Sequence, residues 1–312
     1  MWGEATTLTP KGTLMPSLTA RAVQGMMGAV FAGRPPTNET ALRQGVQRSR
    51  RPGAGDPPAS FYKQCAVEVC EVDSRRIITA RPRGEGSARG HVFYLHGGGY
   101  VNPPAFLHWW FIAKLVKTLG VSCTVPLYPL APEQTCDTGV AFAAAAYRQV
   151  VGEHGAGRLL VMGDSAGGGL ALAMLQQPGI AAPAGLMLNA PWLDASVCDP
   201  SQVEIGRRDW LLNSFTLRAW GQWWAGSRTL RDPMVSPLFG DLSGLPSTLM
   251  FCGSGDILVA DARRLAAAAP DRVRYVEETG LMHVYPLMPF FPEAKRAWVE
   301  IGKFADGVLL PR

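Results

Sequence analysis

Gly163-Asp164-Ser165-Ala166-Gly167 places a serine between two glycines at the spacing G-x-S-x-G. The apolar run Leu159-Leu160-Val161-Met162 before it reads as a strand, and Leu170-Ala171-Leu172-Ala173-Met174 after it reads as a helix. A sharp strand-to-helix turn holds such a serine in a strained conformation with its hydroxyl exposed. The helix N-terminus beneath it favours developing negative charge. The pattern recurs by chance in a chain with 35 glycines, so its context has to carry the assignment.

A nucleophilic serine also needs donors for an oxyanion, a base and an orienting acid. His96-Gly97-Gly98-Gly99 directly follows the apolar strand Val92-Phe93-Tyr94-Leu95. Glycines there let backbone N–H groups approach a substrate with no side chain in the way. The N–H groups of Gly98, Gly99 and Ala166 are the expected oxyanion hole. One histidine alone follows Ser165 in the chain, His283, just past the last strand. His91, His96, His108 and His154 precede the serine and read as structural or exposed, His96 shaping the glycine loop. The acid belongs at a strand end between serine and histidine. Gly253-Ser254-Gly255-Asp256 follows the strand Leu249-Met250-Phe251-Cys252, which selects Asp256. Asp261 is the nearest rival but falls inside the following helix, and Asp194 and Asp199 come earlier and lie near the cap.

These residues predict acyl transfer through a covalent intermediate. His283 takes the Ser165 proton as Ser165 attacks a carbonyl, and Asp256 fixes the imidazole tautomer. No cofactor and no metal are expected in this chemistry.

Positioning such groups takes a sheet. Ala66–Val72 and Arg75–Ala80 read as a hairpin, followed by strands His91–Leu95, Val121–Leu127, Arg158–Met162, Gly185–Ala190, Thr248–Cys252 and Val273–Glu277. Helices are expected at Phe106–Leu119, Cys136–Gly152, Ser165–Gln177, Leu258–Ala269 and Phe291–Phe304. Strands alternating with helices imply a mostly parallel sheet covered on both faces, an α/β fold. Residues 1–60 differ in composition, with one amphipathic helix expected at Thr19–Ala32, and read as an N-terminal cap segment. The stretch 196–246 is helical and rich in tryptophan, and reads as a cap insertion between two core segments, 61–195 and 247–312.

Apolar residues make up 47% of the 312 and charged residues 18%, so a sizeable core is expected and disorder is not. The net charge of +5 is mostly scattered. Its one dense cluster, Arg43, Arg48, Arg50 and Arg51, reads as a solvated linker face, with an anionic surface as the alternative. No aromatic residues interleave with it, so no nucleic-acid partner is expected. The six cysteines form no C-x-x-C pair and several sit in apolar runs, which favours a reducing, cytoplasmic setting. Met1–Thr6 does not read as the start of a signal peptide. No run of 18 apolar residues occurs, so no stable membrane insertion is expected.

Together the motifs resemble the hormone-sensitive-lipase-like branch of the α/β-hydrolases, which contains many bacterial esterases. The resemblance runs from about Val92 to the C-terminal helix. It rests on His96-Gly97-Gly98-Gly99-Tyr100, Tyr128-Pro129-Leu130-Ala131-Pro132-Glu133, Gly163 to Gly168, Ser236-Pro237-Leu238, Gly253 to Leu258, and Met282-His283. The family usually has arginine where this chain has Pro129, a position that is not catalytic there. The resemblance implies an α/β-hydrolase fold with an eight-stranded, mostly parallel sheet and a helical cap. It implies a carboxylesterase acting on small-molecule esters with short- to medium-chain acyl groups, and a homodimer as an expected assembly. A lactone hydrolase with the same triad stays open; an amidase and a catalytically silent ligand receptor on the same fold are further alternatives. Trp220, Trp223 and Trp224, on an expected helix Ser214–Ala225, are candidates to line the substrate pocket. Their alternative role is to anchor the cap to the core.

Overall fold

The computed structural model describes residues 15–31, 36, 38–84 and 88–309. The reading of Met1–Thr6 falls outside them, as does Ala32, the last residue of the expected N-terminal helix. In chain order the helices are α1 (Leu18–Phe31), α2 (Glu39–Ser49), α3 (Ala59–Gln64), α4 (Phe106–Leu119), α5 (Cys136–His154) and α6 (Ala166–Leu175). They continue with α7 (Ser201–Gly206), α8 (Ser214–Ala225), α9 (Val259–Ala268) and α10 (Pro292–Leu309). The strands are β1 (Cys65–Val72), β2 (Arg75–Pro82), β3 (His91–Leu95), β4 (Ser122–Pro126), β5 (Leu159–Asp164), β6 (Gly185–Asn189), β7 (Thr248–Gly253) and β8 (Val273–Glu278).

One eight-stranded sheet runs in the order β1-β2-β4-β3-β5-β6-β7-β8. β2 pairs antiparallel with β1 and with β4, and every other pairing is parallel. This is the α/β-hydrolase architecture expected from the alternation of elements. The inner strands are apolar without interruption because both faces are covered. Along β3, Val92 and Tyr94 face one core with α4 and α10, while Phe93 and Leu95 face the other with α5, α6 and α9. Burying a side chain of this size contributes about 1.5–3 kcal/mol, so both faces of the central strands add to the core.

The remaining helices are α1, α2, α3, α7 and α8, of which α7 and α8 lie in the stretch 196–246 read above as a cap insertion, while α3 packs its Phe61 against Trp109 of α4 at 5.1 Å. α8 docks through Trp224, which is fully buried and stacks on Tyr100 at 4.2 Å and 1°. A methyl group on Gly139 of α5 would lie 2.1 Å from that indole, so α5 has to be bare there. Replacing Trp224 with alanine is expected to lower stability by about 3–5 kcal/mol; a thermal melt checks this.

α2 was not anticipated, and it changes the reading of the arginine cluster. Arg43 pairs with Glu39 one turn away and covers the ring of Trp223 at 4.7 Å. Arg50 points inward, donating to the carbonyl of Val101 at 2.6 Å, to the carbonyl of Ala131 and to Glu133. It ties the N-terminal segment to the glycine loop and to the Tyr128–Glu133 motif, so it is not part of a solvated linker face. All six cysteines are free thiols. Among the described residues no helix is long and apolar enough to cross a membrane.

Candidate active site

The parallel strands β5, β7 and β8 end on one edge of the sheet, where crevices of open α/β sheets form. Ser165 follows β5, Asp256 follows β7 and His283 follows β8, so three residues far apart in sequence share that edge. Ser165 has φ 52 and ψ −124, a left-handed conformation that a non-glycine residue adopts only under constraint. The constraint is visible on both sides. The Ser165 N–H donates to the carbonyl of Asn189 at 2.9 Å, and its own carbonyl accepts from Trp192 at 2.9 Å and Gly168 at 3.0 Å. A methyl on Gly167 would fall 2.0 Å from the carbonyl oxygen of Leu95, so α6 can start there only with a glycine.

His283 Nδ1 lies 2.7 Å from Asp256 Oδ2, and both side chains are buried. Asp256 Oδ2 also accepts from the thiol of Cys252 at 3.5 Å, and Oδ1 accepts from the N–H of Leu258 at 2.9 Å. Burial opposes the imidazolium of His283. Asp256, its hydrogen bond, and the charges of Asp209 and Asp164 outweigh burial and hold the pKa above the ordinary value. A general base at this position would have to be neutral to accept a proton, so its activity would be lost as pH falls through this raised pKa. The acid limb of kcat/KM is therefore expected with its midpoint above about pH 6.5. A pH–rate profile checks it, and a limb centred near pH 5 would contradict the assignment.

Asp261, the rival acid, is engaged elsewhere. Its Oδ2 accepts the N–H groups of Leu193 and Asp194 at 3.0 and 2.9 Å, and burial pushes its pKa up to about 8. It pins the exit of β6 into the cap. Asp194 is taken by Arg264 at 2.7 Å, and Asp199 caps the first turn of α7 through Ser201.

The glycine loop is held from behind. Asp164, the second residue of G-x-S-x-G, accepts from Tyr94 Oη at 2.6 Å, from the Gly97 N–H at 3.1 Å and from His108 Nε2 at 3.2 Å. Burial opposes its charge, but His108 and Tyr94 prevail and hold the carboxyl below the usual range. Gly98 and Gly99 have φ of +124 and +64, conformations that glycine alone adopts without strain. Among the described residues their N–H groups donate to no acceptor, and neither does that of Ala166. His96 is buried with its pKa pushed down to about 4 by burial and by His108, and stacks on Tyr128 at 4.3 Å. It supports the loop.

The three tryptophans part ways. A methyl on Gly99 would lie 2.3 Å from Trp220 Cε3, so this indole rests on the glycine loop, with its N–H buried and unpartnered. Trp223 lies under Arg43 and Trp224 fills the core against Tyr100. Of the three candidates to line a substrate pocket, Trp220 alone rests on the glycine loop, and Trp224 sits where the alternative role of anchoring places it: helical spacing puts the three together, but adjacent rows of α8 face different neighbours.

Asp209 was not anticipated. It lies on the cap between α7 and α8, yet its Oδ2 accepts the N–H of Ile257, next to Asp256, at 2.9 Å. A cavity of about 550 Å³ opens between α1, the cap and the loops of Asp256 and His283, lined by Gln24, Gly28, Asp209, Trp210, Gly255 and Met282. Ser165, Asp256 and His283 are not among its lining residues, so it flanks the triad from outside.

A family model described as alpha/beta hydrolase fold matches residues 92–287. An esterase of Acinetobacter venetianus is 32% identical over 285 residues, covering 86% of this chain and 94% of that protein. An acetyl-hydrolase of Streptomyces hygroscopicus is 34% identical over 222 residues, covering 68% and 74%. A triacylglycerol lipase of Mycobacterium tuberculosis is 35% identical, but the chain spans only 38% of its length. Among solved structures, a hormone-sensitive lipase from a metagenome library superposes with a TM-score of 0.80 at 26% identity, covering 95% of this chain and 100% of that one.

Proposed function

The chain belongs to the alpha/beta hydrolase fold family, in its hormone-sensitive-lipase-like branch, and we propose that it is a serine carboxylesterase using Ser165, His283 and Asp256 on short- to medium-chain acyl esters. Relatives named esterase and acetyl-hydrolase support ester hydrolysis. The observation that carries the triad is the bond of 2.7 Å between His283 and Asp256 at the sheet edge where the strained Ser165 also sits.

In the proposed mechanism neutral His283 accepts the Ser165 proton as Oγ attacks the ester carbonyl. The N–H groups of Gly98, Gly99 and Ala166 receive the oxyanion, which such preorganised donors stabilise far better than water does. His283 then protonates the leaving alkoxide. Water, deprotonated by the same imidazole, attacks the acyl-enzyme, and the imidazolium returns that proton to Ser165 Oγ as the acid leaves.

The preference for short acyl chains rests on Trp220. A bulky ring against the oxyanion loop limits the space beside the reacting carbonyl. Trp220→Ala is expected to raise activity on octanoyl relative to acetyl esters. Each newly accommodated methylene contributes about 0.8 kcal/mol, or roughly fourfold in kcat/KM, so a few methylenes give an order of magnitude. Rates on p-nitrophenyl acetate, butyrate and octanoate test this. An unchanged octanoate-to-acetate ratio would assign Trp220 to cap packing alone.

A further inference from the structure

Asp209 belongs to none of the motifs that mark the site, and its contacts are distributed in a way that a turn residue does not need. Its Oδ1 accepts the N–H groups of Leu211 and Leu212, both at 2.9 Å, which closes a local turn between α7 and α8. Its Oδ2 reaches out of that turn to the N–H of Ile257. Ile257 sits between Asp256 and Leu258, whose N–H is itself held by Asp256. The short loop carrying the triad acid is thus fixed from three directions: by Cys252 at the end of β7, by Leu258 at the start of α9, and by Asp209 from the cap.

We propose that Asp209 is a positioning residue for hydrolysis, clamping the Asp256 loop to the cap and adding a second carboxylate to the field at His283. The inference rests on the esterase reading above. Three carboxylates act on the imidazole, from Asp256 after β7, Asp209 on the cap and Asp164 at the end of β5. Asp209 in turn is acted on by Asp256 and His283. The neighbouring Arg208 is directed outward and paired with Glu204 at 2.7 Å, so it leaves the Asp209 charge in place. Burial, and then Asp256, push the Asp209 carboxyl up to about 6, so its charge is present where the enzyme is active, above that pH.

The sign of the effect follows. A negative charge near an imidazole stabilises the imidazolium, so neutralising Asp209 lowers the pKa of His283 and moves the acid limb of kcat/KM to lower pH. Loosening the acid loop misplaces the imidazole and lowers kcat, while substrate binding is little affected. A residue that only stabilised the cap would lower the melting temperature and leave the pH limb where it was.

The test compares wild type, Asp209→Asn and Asp209→Glu, with p-nitrophenyl acetate as substrate. In Asp209→Asn, kcat is expected to fall by about 10- to 100-fold with KM within about threefold. The midpoint of the acid limb is expected to move down by about half a pH unit. Asp209→Glu, which restores the charge, is expected to return the midpoint to its wild-type position. The low-field proton resonance of the His283–Asp256 bond, titrated by NMR without substrate, should show the same downward move in Asp209→Asn. That resonance does not depend on turnover. If it moves while wild type hydrolyses no ester, the positioning role stands and the esterase reading falls. An unchanged kcat with an unmoved midpoint in Asp209→Asn would overturn the proposal, and so would a lower melting temperature with the resonance and the midpoint unchanged.

Discussion

Ser165→Ala is expected to lower kcat on p-nitrophenyl butyrate by about 10⁴- to 10⁶-fold while leaving the fold intact. The size follows from what is lost. Without Oγ there is no acyl-enzyme, and what remains is the oxyanion loop acting on a bound ester attacked directly by water. The side chain contributes little to packing: the bonds that hold this turn run through the main chain of Ser165, to Asn189, Gly168 and Trp192, and alanine keeps all of them. Circular dichroism and a melting curve establish that the variant is folded, and initial rates then read the loss. Activity within tenfold of wild type in a folded variant would remove Ser165 from the mechanism.

Asp256→Asn is expected to be the next largest change, lowering kcat by about 10⁴-fold. An asparagine fits the same space and can still accept from the Leu258 N–H, but it presents an amide in place of a carboxylate to His283 Nδ1. The imidazole is then free to take the tautomer that puts its proton on the nitrogen facing Ser165, where it cannot act as a base. The comparison that gives this prediction its force is Asp261→Asn. Asp261 holds the amides of Leu193 and Asp194 and has no part in orienting the imidazole, so its loss should act on stability and leave kcat within about tenfold. If the two variants exchanged these behaviours, the acid would be Asp261.

Much of the site could be read from the chain because its parts are local. A strand, a glycine-flanked serine and a helix specify the nucleophile turn within a dozen residues, and the same holds for the strand before His96-Gly97-Gly98-Gly99. The inner strands were legible because burial on both faces makes them continuously apolar. α2 was harder. Of its side chains only Leu42 and Val46 are buried, so its hydrophobic periodicity is faint. A signal was present nonetheless: Asn38 accepts from the Ala41 N–H at 2.9 Å as an N-cap, with Glu39 following it in the first turn. Asp209 and His108 had no such signal. One aspartate in a polar cap segment and one histidine ahead of the nucleophile resemble any others, and only the closing of the cap over β7, and of α4 over β5, gives them partners. The tryptophans show the same limit, since spacing along α8 identifies neighbours on the helix but not what each row faces.

The proposed mechanism requires a single acyl-enzyme, formed on Ser165. Intact-mass and peptide-mass measurement after exposure to diethyl p-nitrophenyl phosphate tests it directly, because this reagent phosphorylates an activated serine and the adduct persists. One diethylphosphoryl group per chain is expected, located on the peptide containing Ser165, with complete loss of esterase activity and no adduct in Ser165→Ala. Labelling at another residue, or full inactivation with Ser165 unmodified, would contradict it.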